Sequence, residues 1–310
     1  MPAANTISLE NVSKTFGAVA AVDSLSASIP QGCIYGFLGP NGAGKTTTLR
    51  MILSIIYPDA GTIRIFDEPA SASSLARIGY LPEERGLYRK MRVVDVLAYF
   101  GRLKGMTRDA IRDRIPKCLE LVHLNDAANR RVEELSKGNQ QKLQLVSTIL
   151  HEPDFLILDE PFSGLDPINM ELISNLMLQM RDEGKTIIFS THVMDQAQRL
   201  CDSILLINRG RKIIDGPVDE LLSNFRANDV ILEVDGDTSF IDELPFVRSV
   251  TTKRRRLEVA LQDGTDSRQL LEALMGRVTI RTFEEKLPSL HDIFIRLVGE
   301  STEPIMTVTG

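Results

Sequence analysis

The chain is 310 residues long, 43% hydrophobic and 25% charged, with a formal net charge of −6. That length allows two domains and a sizeable core, and the negative balance disfavours nucleic acid as a partner. Three scattered cysteines, at 33, 118 and 201, exclude a disulfide framework and point to a reducing compartment; the apolar runs are too short to span a bilayer and residues 1–6 lack the pattern of a secretory leader, so a cytoplasmic location is expected.

Residues 7–16 and 20–29 alternate as strands. Pro30-Gln31-Gly32 then turns the chain into an apolar run, residues 34–38, which reads as a short buried strand. It ends in Gly39-Pro40-Asn41-Gly42-Ala43-Gly44-Lys45-Thr46-Thr47, and residues 47–53 have the composition of a helix. Strand, glycine-rich turn and helix in this order fit a phosphate-binding loop. The glycines let backbone N–H groups converge on phosphate oxygens, and the helix adds the positive end of its dipole. Lys45 can reach the outer phosphates, and the Thr46 hydroxyl suits Mg²⁺. The loop predicts a nucleotide but not a class of enzyme.

Residues 62–67 read as another strand after the Pro58-Asp59-Ala60-Gly61 turn, which places an antiparallel lobe beside a parallel core. Residues 77–82 read as a strand broken by Pro82. From 93 to about 149 the apolar spacing becomes helical, through Val93, Val94, Val96, Leu97 and Phe100 and again through Ile111, Ile115, Cys118, Leu119 and Val122. Residues 155–159 form a second buried strand that runs into Asp159-Glu160. The chain between the two buried strands is far longer than one crossover needs, so the helical stretch is an insertion into the nucleotide core.

A helix at 170–180 follows, then a third buried strand at 186–190 ending in Thr191-His192, a helix at 194–201 and a hairpin over 204–214. A helix at 218–225 closes the first domain. Beyond it, strands at 230–234, 247–250, 257–261 and 277–282 alternate with helices at 267–274 and 289–297. The expected boundaries are 1–226 for the nucleotide domain, with its helical subdomain at about 84–150, then 227–300 for a small α+β domain and 301–310 for a loose tail.

Four further motifs carry a family resemblance. Leu135-Ser136-Lys137-Gly138-Asn139-Gln140-Gln141-Lys142 resembles the signature sequence of the ATP-binding cassette (ABC) ATPases. Phe155-Leu156-Ile157-Leu158-Asp159-Glu160 resembles their Walker B motif, Pro161-Phe162-Ser163-Gly164-Leu165-Asp166 their D-loop, and Ser190-Thr191-His192 their switch histidine. The resemblance covers residues 5–225; the remainder looks like the extension carried by some exporter ATPases.

The resemblance implies an α/β fold: a P-loop ABC nucleotide-binding domain with a parallel core sheet, an antiparallel β lobe and an inserted helical subdomain, followed by a small C-terminal α+β domain. It implies ATP and Mg²⁺ as cofactors. Gly39 through Thr47 would hold the nucleotide, with Phe16 stacked on adenine and Asp166 nearby, while Ser136 and Gly138 would close over ATP held by a partner chain. Thr46, Asp159 and Glu83 would hold the metal; Glu160, His192 and Lys45 would carry hydrolysis. The implied partners are a second cassette, as a homodimer or with a related chain, and an integral membrane permease at the inner face of the membrane, with no nucleic acid.

The family pattern is not complete. Lys137 and Asn139 stand where a glycine and a glutamine are usual, and Glu83 takes the place of the Q-loop glutamine. Lys137 either substitutes charge for close backbone approach or points to solvent. Leu-Pro-Glu-Glu-Arg-Gly and Leu-Ser-Lys-Gly-Asn-Gln-Gln resemble a subgroup of bacterial exporters of sodium, antibiotics or antimicrobial peptides. Arg85-Gly86-Leu87-Tyr88-Arg89 would face the membrane partner. Two competing readings stay open: a soluble ABC ATPase acting on nucleic acid or ribosomes, supported only by Lys253-Arg254-Arg255-Arg256, and a weakly hydrolysing nucleotide sensor.

Overall fold

A computed structural model describes residues 5–84, 86–225, 229–253, 256–262, 264–286 and 288–300. Arg85, the middle of the basic tetrad (Arg254 and Arg255), the expected boundary at 226/227 and the expected tail 301–310 lie outside the described residues. Contacts divide the chain into Met1–Val218 and Asp219–Gly310.

In the first unit, β1 (Asn5–Phe16), β2 (Val19–Pro30), β4 (Ala60–Ile65) and β5 (Glu68–Pro69) form an antiparallel sheet in the order β2-β1-β4-β5. The strand expected at 62–67 ends two residues early. Phe66 and Asp67 both adopt positive φ, 54° and 63°, and turn the chain back into β5. The apolar Phe66 extended the run in sequence without extending the strand.

The second sheet has the order β10-β9-β3-β8-β7-β6. It holds β3 (Ile34–Leu38), β6 (Ile78–Leu81), β7 (Phe155–Asp159), β8 (Thr186–Thr191), β9 (Ser203–Asn208) and β10 (Arg211–Pro217). All of its pairings are parallel except β10 on β9. β3, β7 and β8 are buried at every position, which explains why they read as unbroken apolar runs: parallel central strands are covered on both faces. Ile7, Leu25 and Ile29 of the antiparallel lobe share one core cluster with Tyr35, Phe37, Phe155, Ile157 and Ile188 of this sheet.

Helices connect these strands: α1 (Lys45–Ile52), α2 (Ala72–Ala76), α3 (Val93–Leu103), α4 (Arg108–Leu121), α5 (Lys137–Ile149), α6 (Pro167–Asp182) and α7 (Met194–Leu200). α3 to α5 make up the insertion between β6 and β7. α3 buries Val93, Val96 and Leu97, and α4 buries Ile111, Ile115, Cys118 and Leu119, positions that the helical spacing singled out; Val94 and Phe100, singled out with them, are only partly buried. β3 lies between β8 and β9, so the chain leaves its carboxyl end beside the carboxyl ends of β7 and β8. Open parallel sheets bind ligands at this edge.

α8 (Val218–Asn224), read from sequence as the end of the first domain, falls with the second unit in all but its first residue. That unit continues through β11 (Asp229–Asp235), β12 (Val247–Lys253), β13 (Arg256–Leu261), α9 (Ser267–Leu274), β14 (Thr279–Glu285) and α10 (Leu290–Glu300). Its sheet is antiparallel in the order β12-β13-β11-β14. Alternate residues Val230 and Leu232, with Leu257, Val259 and Leu261, form a core with Leu270 and Leu274 of α9. This is a split β-α-β arrangement whose first helix is reduced to the 3₁₀ turn Ser239–Ile241.

Cys33, Cys118 and Cys201 are free and buried. Burial pushes the Cys33 thiol up to about 12 and raises the other two. Burial thus disfavours the thiolate, the form that reacts, at all three. The native protein should therefore leave Ellman's reagent uncoloured, and all three thiols should react in guanidinium. A native thiol that reacts as fast as free cysteine would contradict this burial.

Candidate functional site

The glycine-rich loop is shaped by its contacts. Gly44 adopts φ 107° as the N-cap of α1, and a Cβ there would lie 2.4 Å from the Ala21 carbonyl oxygen of β2. Only glycine fits between that carbonyl and the turn. No side chain caps α1, so its first-turn N–H groups stay open to an anion. The cleft above the loop has a volume of about 420 Å³ and is lined by Ala21, residues 41–47, Glu83 and Glu160. Asn41, Gly42, Ala43, Gly44, Lys45, Thr46 and Thr47 all line it. Gly39 and Pro40 stand behind, where their carbonyl oxygens accept from Lys45 Nζ at 2.7 and 3.1 Å.

Burial pulls the Lys45 ammonium below the ordinary lysine value, while the carboxylates of Glu160, Asp159 and Glu83 pull it back up. A phosphate would add a further negative partner for the same cation.

The carboxylates meet at the ends of β7 and β8. Ser190 Oγ donates to Asp159 Oδ1 at 2.5 Å, and Thr46 Oγ1 donates to the same oxygen at 3.2 Å. Asp159 is fully buried, and its Oδ2 has no hydrogen-bond partner among the described residues. An unmet buried carboxylate oxygen beside a threonine hydroxyl is a hard-oxygen donor set that fits Mg²⁺. Glu160 takes φ 50°, a left-handed conformation costly for a residue with a side chain. Ser190 holds it there: the Glu160 N–H donates to Ser190 Oγ at 3.0 Å and to Ser190 O at 3.2 Å. This turn brings Glu160 Oε1 to 2.9 Å from His192 Nδ1 and 3.9 Å from Lys45 Nζ.

Other predicted residues lie elsewhere. Phe16 ends β1 with half its surface exposed, and Lys14 Nζ sits 5.6 Å from its ring centre. Ser136 is the exposed N-cap of α5, its Oγ accepting the Asn139 N–H at 3.2 Å; Lys137 beside it is exposed as well. Asp166 caps α6, accepting from Asn169 N at 3.0 Å and Asn169 Nδ2 at 2.6 Å. These bonds hold its carboxyl below the usual range. A Cβ at Gly138 would stand 3.2 Å from Asn169 Nδ2. The first turn of α6 therefore lies close to the first turn of α5 within one chain.

Sequence reasoning gave no role to Ser190 or Gln144. Ser190 joins Asp159 to Glu160; Gln144, on α5, donates to the carbonyl oxygens on either side of Glu83. The available signal for Gln144 was a polar residue on the buried face of a helix, which composition alone does not separate from an exposed one.

The sequence profile of the ABC transporter family matches residues 22–163. The profile of the ATP-binding protein DrrA1-3-like C-terminal domain matches residues 216–298. YhaQ of Bacillus subtilis (strain 168), described as an uncharacterized ABC transporter ATP-binding protein, is 42% identical over 296 residues, 94% of this chain and 98% of that protein. Nod factor export ATP-binding protein I of Rhizobium sp. (strain N33) is 38% identical over 302 residues, 96% of this chain and 98% of that protein. Two solved structures align with 71% of this chain. One is the ATP-binding subunit of an ABC transporter (TM-score 0.66, 27% identity, 93% of that chain). The other is cbiO1 from Clostridium perfringens, part of the ABC transporter complex cbiONQ (TM-score 0.64, 26% identity, 91% of that chain).

Proposed function

This chain belongs to the family of ABC transporter ATP-binding proteins, and from that premise we propose that it hydrolyses MgATP as the energising subunit of an exporter. The observation that carries hydrolysis is Glu160, turned into the cleft and held through one oxygen by His192 and Lys45. Its second oxygen has no protein partner among the described residues and is placed to take a proton from water. Loop N–H groups and Lys45 hold the phosphates, and His192 senses the outermost one through its bond to Glu160. Thr46 and Asp159 would hold Mg²⁺, with Glu83 on the facing loop, and the ion would neutralise charge on the phosphoryl oxygens.

Phe16 stacks on the base in this proposal. Phe16→Ala should raise the Kd for MgATP by about tenfold, within the range of base–aromatic stacking, and leave kcat at saturating ATP unchanged. Phe16→Tyr should restore the affinity. Titration with a fluorescent ATP analogue reads this directly, and an unchanged Kd in Phe16→Ala would remove Phe16 from the site.

Two chains pair head to tail, each placing Ser136 and Gly138 over ATP held by the other. The exposed position of Ser136 at the tip of α5 supports this. The permease is proposed to dock near Tyr88, half-exposed and packed edge-on against Tyr99 with ring centres 5.1 Å apart. Exposed aromatic groups of this kind anchor protein interfaces. Among the described residues no helix is long and apolar enough to cross a membrane; the proposed permease is a separate chain that brings this one to the inner face of the membrane. The names of the Nod factor export relatives favour export over import. Affinity capture of the tagged chain from detergent-solubilised membranes should recover an integral membrane protein. Capture of none, under conditions that preserve complexes, would overturn the transport role while leaving hydrolysis standing.

A further inference from the structure

Gln144 lies in the middle of α5 with 4% of its surface exposed. Its Nε2 donates to Pro82 O and to Glu84 O, both at 3.1 Å, so one amide clasps the backbone on both sides of Glu83. Two neighbours on α5 reach the same region. Gln141 Nε2 donates to Pro161 O at 3.3 Å, next to Glu160, and Thr148 Oγ1 donates to Tyr80 O at 3.3 Å. Spacings of three and four place 141, 144 and 148 on one helix face. A single rigid helix, capped by Ser136, is thereby bonded to both segments that bring carboxylates to the cleft.

Gln144 Oε1 is buried and has no hydrogen-bond partner among the described residues. A satisfied structural glutamine would not leave an acceptor unmet.

We infer that Gln144 is a positioning residue that sets Glu83 in the cleft according to the position of α5, so that seating Ser136 on a nucleotide is felt at Glu83. This inference rests on the ATPase reading and adds a route of control to it. Gln144 touches no reacting atom; it acts through the Pro82–Glu84 backbone.

Gln144→Met keeps the length and volume of the side chain and removes both donors. It should lower kcat about tenfold, a loss of transition-state alignment, with the KM for ATP within about twofold of wild type. In a Glu83→Ala background the same substitution should cost nothing further, since coupled residues are not additive. Hydrogen exchange should rise about tenfold at the amides of 83 and 84 and stay unchanged along α5. Thr148→Val, which loosens the same face without freeing the clasp, should leave that exchange untouched. Should the methionine variant fail to fold, Gln144→Leu takes its place.

Equal losses from Gln144→Met in both backgrounds, or wild-type exchange at 83 and 84, would overturn the inference. The exchange arm needs no turnover and decides positioning by itself. A wild-type chain that turns over beside an unaltered Gln144→Met sinks only this inference; a wild-type chain inert with its permease sinks the ATPase reading.

Discussion

Glu160→Gln should lower kcat for ATP hydrolysis by about two to three orders of magnitude, the usual contribution of a positioned general base. The substitution preserves shape and hydrogen bonding to His192 but removes the charge that attracts a proton. The neighbours of Glu160 depend little on that charge. Its N–H stays on Ser190, and Lys45 stays on Gly39 O and Pro40 O. Nucleotide affinity should therefore survive. ATP that is bound but not cleaved should hold the chain as a pair, visible as an earlier-eluting species in size-exclusion chromatography with MgATP and absent with ADP. Equal phosphate release by the wild type and the variant would take Glu160 out of its assigned role.

Gly44→Ala should abolish measurable ATP binding. A side chain at φ 107° costs about 1–2 kcal/mol by backbone strain alone. The added Cβ would also press against Ala21 O at 2.4 Å, a backbone atom in a core strand. Either the loop or β2 must move, for a total of about 3–4 kcal/mol. If the loop is what gives way, affinity falls by more than about a hundredfold, at tenfold for each 1.4 kcal/mol. Gly42→Ala is the informative control. Gly42 also has positive φ, 78°, but a Cβ there meets nothing within 4 Å, so only the backbone strain is incurred and affinity should fall by about five- to thirtyfold. Calorimetry on the two variants separates the effects; similar affinities would mean that the contact with Ala21 does not shape the loop.

What the sequence conveyed and what it hid follow one physical division. β3, β7 and β8 were legible because strands covered on both faces must be apolar throughout, and the loop was legible because its chemistry needs glycines at fixed offsets. Short, turn-driven elements were not: β5 has two residues, and α2 has five, held by a Ser71–Ser74 capping box. α6 begins at Pro167 rather than at 170, because Asp166-Pro167 is a cap followed by a proline in the first turn, a helix start that its resemblance to a motif concealed. Lys45 and Thr46, picked out by spacing, do line the cleft. Ser190 meets Asp159 across 31 positions and Gln144 meets Glu84 across 60. Partnerships at such separations belong to topology, which a single chain does not spell out.

The burial of all three native thiols has a practical corollary. A reporter cysteine placed at Lys137, on the exposed tip beside Ser136, would be the sole handle open to maleimide dyes, with nothing removed from the natural chain. Distances between two such labels would then record how closely paired molecules approach through each cycle of fuel and product, without a cysteine-free background having to be engineered first.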